Sequence, residues 1–184
     1  MLLAFFSSLK RVAWALAVLT AVMLVLLLGR PSFTNASRPP RFGNPQLALQ
    51  FVRSVEEVDW ILGDAPSPDR EVMRIKQYVD FGFIVSYTAM LLACSVLVFR
   101  AGGWRQALGI AAGICASATA IFDVIENRAI LKLLDVPLRA TTPAMLNAIR
   151  SASAAKWTLA AVTIVLLLSA VRMKSKKRTK SVGS

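Results

Sequence analysis

Asp80, Asp123, Glu126 and Lys156 stand at the edges of long stretches without charge, which run over 12–29, 81–99, 106–122 and 157–171. Inside a bilayer each such group costs about 2.5 to 3.5 kcal/mol on insertion scales, so its presence asks for a use. Three carboxylates and one ammonium can form an ion pair that fixes helix register, balance a cation or basic ligand, or hold a proton. A carboxylate acting as general base, with Tyr87 or Lys156 assisting, would suit lipid-modifying chemistry.

Other chemistries are poorly provided for. The sequence has no His, which removes imidazole bases, Ser-His and Cys-His nucleophile systems and the commonest metal ligand. Cys94 and Cys115 form no C-x-x-C pair and read as buried thiols. An all-oxygen metal site from Asp80, Asp123 and Glu126 has no recognised spacing. Ala101-Gly102-Gly103 is a turn rather than a phosphate loop, and nucleophile-elbow and kinase patterns are missing. No catalytic residue, metal or cofactor is assigned.

The elements that must position these groups follow from composition and spacing. The 184-residue chain carries a net charge of +12, is 56% hydrophobic and is only 17% charged, against about 25% charged residues in soluble domains. A membrane span needs about 20 mostly apolar residues. We therefore expect an all-α, integral membrane four-helix bundle forming a single domain over 1–184, with spans at about 12–29, 78–99, 105–126 and 152–171. Lys10 and Arg11 ahead of the first run resemble a signal-peptide start, but no small-x-small cleavage site follows Leu28, so that run is read as a retained span.

Lys10, Arg11, Arg100, Arg105 and six basic residues over 172–180 lie in segments without an acid, while all ten acids fall between Glu56 and Asp135. The positive-inside rule then puts both termini and the 100–105 turn in the cytoplasm, with Trp14 and Trp104 at the inner interface, and the expected site is a bacterial inner or plasma membrane. Most of the positive charge is thus an orientation signal, and no nucleic-acid partner is expected. The tail over 172–184 is expected to meet anionic inner-leaflet lipid.

Residues 30–77 form the exterior part between spans one and two. Its Pro-rich start, 30–41, reads as extended linker and contains a formal glycosylation sequon at Asn35-Ala36-Ser37. From Asn44-Pro45 the pattern is that of one amphipathic helix ending near Gly63, with Ala48, Phe51, Val52, Val55, Val58 and Leu62 on its apolar face. It either lies on the membrane surface or packs over the helix ends, and Trp60 fits both. Ser67-Pro68 and Thr142-Pro143 open two further helices, running to Phe99 and to about Met173. The third long helix should run from about Trp104 to Leu134.

Projection of that third helix places Gly109, Ala112, Ala116, Thr119, Ala120, Asp123, Glu126 and Asn127 within about 60° of Asp123. Ile110, Ile114, Ile121 and Ile125 take the lipid side, with Arg128 and Lys132 reaching towards headgroups. The Gly109/Ala112/Gly113/Ala116 face can receive a homo-oligomer or membrane-complex partner, since small residues let helices approach closely. Asp80, Ile84, Tyr87 and Leu91 share a face of the second long helix, and Ala152, Ser153, Lys156, Ala160 and Thr163 share one on the fourth. The expected site is an outward-opening polar pocket of Asp80, Tyr87, Asp123, Glu126, Asn127 and Lys156, with Arg150 at its rim. The reading this supports first is a non-catalytic binding or accessory protein for a small ligand or partner. A cation- or proton-coupled transporter or channel protomer and a lipid-modifying enzyme are the alternatives.

Overall fold

The computed structural model describes residues 2–29, 32–34 and 44–179, with side chains from 8 to 172 within that set. The linker reading over 30–41, the sequon at 35–37 and the basic side chains beyond Arg172 lie outside the described residues. In chain order the helices are α1 (Leu2–Leu28), α2 (Pro45–Gln50), α3 (Val55–Leu62), α4 (Pro68–Phe99), α5 (Arg105–Leu134) and α6 (Pro143–Thr179). A single 3-10 turn, Leu138–Ala140, joins the last two. There is no strand among the described residues, and α1, α4, α5 and α6 are each long and apolar enough to cross a membrane. The chain is an all-helical, multi-pass membrane protein.

The helix starts obey local chemistry. Asn44 accepts hydrogen bonds from the N–H groups of Gln46 and Leu47 ahead of Pro45, Ser67 accepts from Asp69 ahead of Pro68, and Thr142 Oγ1 accepts from Met145 ahead of Pro143. Side-chain acceptors there satisfy N–H groups that have no partner within the helix, and Pro costs nothing at a position with no bond to lose. Between α4 and α5 the chain reverses through Gly102 and Gly103, both at positive φ, a conformation that a Cβ disfavours.

Successive long helices pack as a row: α1 on α4, α4 on α5, α5 on α6. No comparable contact joins α1 to α6, so the row does not close into a ring. Opposite the 102–103 turn, α2 and α3 cover the far ends of α4, α5 and α6. The compact hydrophobic core lies there, with Leu49, Val52, Val58, Leu62, Met73, Ile130, Leu133 and Ile149 all fully buried. Arg70 ties the cap together, donating to the carbonyls of Gly63, Leu133, Leu134 and Val136 at the ends of α3 and α5.

One expectation changes. The amphipathic helix over 44–63 is two short helices, because Ser54 starts a new one: its Oγ accepts from Glu57 N–H, and Glu57 Oε2 accepts from Arg53 N–H at 2.7 Å. This reciprocal capping holds the preceding backbone out of helix. The break shifts the buried face from Phe51 and Val55 to Leu49 and Ile61. Of the two placements, packing over the helix ends is the one observed.

Part of the small-residue face of α5 packs within the chain, against α4. A Cβ on Gly109 would come within 2.6 Å of Phe99 N and 2.7 Å of Ser95 O on α4, while Ala112 and Ala116 are fully buried. Such crowding by backbone cannot be relieved by turning a side chain. Gly109→Ala should therefore lower stability in detergent by about 1–3 kcal/mol, outweighing its helix-propensity gain of about 1 kcal/mol. Gly113→Ala, whose Cβ would sit 3.7 Å from Ser95 Cβ, should be neutral or stabilising in the same thermal unfolding assay.

Asp64 fastens the cap to the α5–α6 connection. Its Oδ1 accepts from Leu138 N–H and Ala65 N–H, each at 2.8 Å, and these bonds hold its carboxyl below the usual carboxylate range. A lowered acid contributes stability that is complete above its unfolded pKa and lost as pH falls through the lowered value. Hydrogen-exchange protection of the Leu138 amide should accordingly fall below about pH 4. In Asp64→Ala that protection should be low and independent of pH.

Candidate functional site

Each buried polar residue of the site is delivered by the helix phase of its element. On α5, Asp123, Glu126 and Asn127 are spaced three and four apart, so they share one face, and all three are buried. Ile110, Ile114, Ile121 and Ile125 take the opposite, exposed side with Arg128 and Lys132. On α4, Asp80 and Ile84 are buried, and Tyr87 is half-buried one turn further on. On α6, Ala152, Ser153, Lys156 and Thr163 point inward.

These side chains meet. Lys156 Nζ lies 2.9 Å from Asp123 Oδ1 and 2.8 Å from Glu126 Oε2. Tyr87 Oη–H donates to Asp123 Oδ2 at 2.9 Å, and Asn127 Nδ2 donates to Asp80 Oδ2 at 2.7 Å. Ser153 Oγ is 2.7 Å from Glu126 Oε2. Glu126 Oε1 has no hydrogen-bond partner among the described residues. Six of the seven expected residues thus meet in one layer across α4, α5 and α6, as two bonded groups: Tyr87, Asp123, Glu126 and Lys156 in one, Asp80 and Asn127 in the other.

Arg150 is the exception. Its guanidinium donates to Asn147 Oδ1 at 2.6 Å on the exposed flank of α6. The reason is rotation: six residues separate it from Lys156, which turns it about 120° around the helix. The two cysteines, expected to be buried, are free and half-buried.

A cavity of about 460 Å³ adjoins the layer. Its sides are α1 and α6, its back wall is α4 and α5, and α2 roofs it. Near the roof it is lined by Asp80, Tyr87, Asp123, Lys156, Asn44, Gln46 and Gln50. Towards the turn end the lining becomes apolar, with Leu24, Met90, Leu91, Ala160 and Ile164. Because α1 and α6 do not pack together, the opening runs along their facing edges.

Several contributors were not anticipated. Trp157 lines the cavity, donates from Nε1 to Gln50 Oε1 at 3.0 Å and lies beside the Lys156 ammonium, 5.4 Å from ring centroid to Nζ. The sequence places Gln50 on a solvated helix face, and only knowledge of the cap's position reverses that. Lys76 is buried and donates to the carbonyls of Leu27 and Gly29 at 2.7 and 2.9 Å, fastening the end of α1 to α4. Its spacing four residues before Asp80 suggests an intrahelical pair, which the structure does not make.

The fold and the layer define a class, a four-span helical membrane protein with ionisable groups buried between its spans. Comparison with family models, curated proteins and solved structures finds no match for the chain.

Removing the ammonium leaves two carboxylates buried without their cation, a change that costs about 3–5 kcal/mol. Lys156→Met should lose that much in an unfolding assay, and adding Asp123→Asn with Glu126→Gln should recover most of it. A loss below about 1 kcal/mol, the level of a surface pair, would mean that Lys156 does not bridge the two acids.

Proposed function

We propose that this chain is a non-catalytic binding protein of the membrane that holds a small ligand in the cavity between α1 and α6. The observation that carries the reading is the placing of Asp80, Tyr87, Asp123 and Lys156 on the wall of one cavity whose lining towards the turn end is mostly apolar. Its volume of about 460 Å³ falls in the range of ligand sites, about 300–1,000 Å³, and a few converging polar groups in an apolar lining are the usual composition. The polar groups are already oriented by one another, so little ordering is needed when a ligand arrives.

In this reading the cap faces outward, and both termini and the 102–103 turn face the cytoplasm of a bacterial cell. The distribution of Lys and Arg supports that orientation, as does the exposure of Trp104 beside the turn. The basic tail then lies against anionic inner-leaflet lipid. A second reading, transport coupled to a cation or proton, draws on Glu126 Oε1, a buried carboxylate oxygen without a partner among the described residues. Transport predicts that Asp123→Asn abolishes ion-dependent flux in proteoliposomes while the protein stays folded.

A native mass spectrum of the gently extracted chain tests the binding reading. It should show a small molecule retained at about one per chain, and Ala160→Trp, which fills the cavity without altering any charge, should release it. Finding neither ligand nor partner on the folded protein would count heavily against the reading.

A further inference from the structure

The shape and charge of the cavity restrict what can occupy it. Three carboxylates, Asp80, Asp123 and Glu126, share the buried layer with one ammonium, and that ammonium is engaged by Asp123 and Glu126. Asp80 is left with a neutral partner, Asn127, and among the described residues no cation lies within ion-pair distance of it. Yet Asp80 lines the cavity. A ligand that brings one positive charge to Asp80 would supply the missing counter-charge, whereas a phosphate or carboxylate would be set against two acids.

Aromatic groups make the same selection. Phe83 and Tyr87, with ring centroids 5.3 Å apart, line the cavity together with Trp157. Aromatic faces beside a carboxylate recognise alkylated ammonium groups, since the ring quadrupole attracts a weakly hydrated cation. Below this end the lining is apolar, and the gap between α1 and α6 runs towards the turn end, along the direction of a lipid tail. The entrance is therefore sideways from the bilayer.

Resting on the reading of this cavity as a ligand site, we infer that its occupant is a single-chain cationic amphiphile, with an alkylammonium head at Asp80 and its tail along Leu24, Met90, Leu91 and Ile164. The head meets Asp80 and the rings of Phe83, Tyr87 and Trp157. The Asp123–Lys156–Glu126 group stays intact behind it and keeps the surroundings net negative.

The test uses the full chain in a neutral maltoside detergent, titrated with dodecyltrimethylammonium and followed by tryptophan fluorescence and native mass spectrometry. Saturable binding of one molecule per chain is expected, with no comparable binding of dodecanoate. Asp80→Asn should weaken it by about tenfold or more, the size expected from losing a charged partner. Ala160→Trp, which blocks the tail slot, should abolish it. Unaltered affinity in a folded Asp80→Asn variant overturns the inference, as does equal binding of dodecanoate or of a zwitterionic phosphocholine lipid. Either of the last two outcomes leaves the cavity as a ligand site of other specificity. Should Asp80→Asn fail to fold, the competition between dodecyltrimethylammonium and dodecanoate on the unmodified chain decides alone. If no amphiphile binds the folded chain and none is carried through purification, the inference and the binding reading fall together.

Discussion

One ammonium group holds the middle of this protein. Lys156 Nζ sits within 3 Å of Asp123 and Glu126, where water is scarce and each charge alone would be expensive. Because those acids come from α5 and the lysine from α6, the pair sets the depth and rotation of one helix against the other. Tyr87 then joins α4 to the same group through Asp123, and a separate bond from Asn127 to Asp80 ties α5 to α4. Burial of polar groups, more than apolar attraction, organises the spans, as expected where lipid and apolar side chains offer similar surroundings.

The apolar core follows the opposite rule and lies elsewhere. It gathers at the cap, where α2 and α3 meet the ends of α4, α5 and α6. Helix ends expose carbonyls without partners, and two buried cations attend to them: Arg70 at α3 and α5, Lys76 at α1. Polar satisfaction and hydrophobic burial thus divide the molecule by depth, with the cavity at their border.

Most of the fold was legible because its signals are local. The Asn44, Ser67 and Thr142 starts, the extents of α4 and α5 and the inward face of α5 all follow from spacing, and the structure has them where expected, whereas α6 runs past Met173 to Thr179. What failed to show in the sequence depends on neighbours. Ser54 competes with helix continuation only through its exchange with Glu57, Gly109 declares its partner only when α4 is beside it, and Arg150 misses the rim because the helix turns it away from Lys156 towards Asn147. For the site, the sequence supplied the ionisable residues but not the gap between α1 and α6, since a void belongs to the arrangement of elements and to no single one.

The division of charge among the spans bears on how the chain enters its membrane. Residues 12–29 carry no charge, so α1 can leave the insertion machinery alone and wait in lipid until α4 and Lys76 are made. By contrast, α5 released alone would take two carboxylates into hydrocarbon, and α6 would take an ammonium, at about 2.5 to 3.5 kcal/mol per group. Only residues 135–142 separate these two helices. Delivered together as a hairpin, they neutralise each other during synthesis, which makes Lys156 an entry pass for the helix translated just before it.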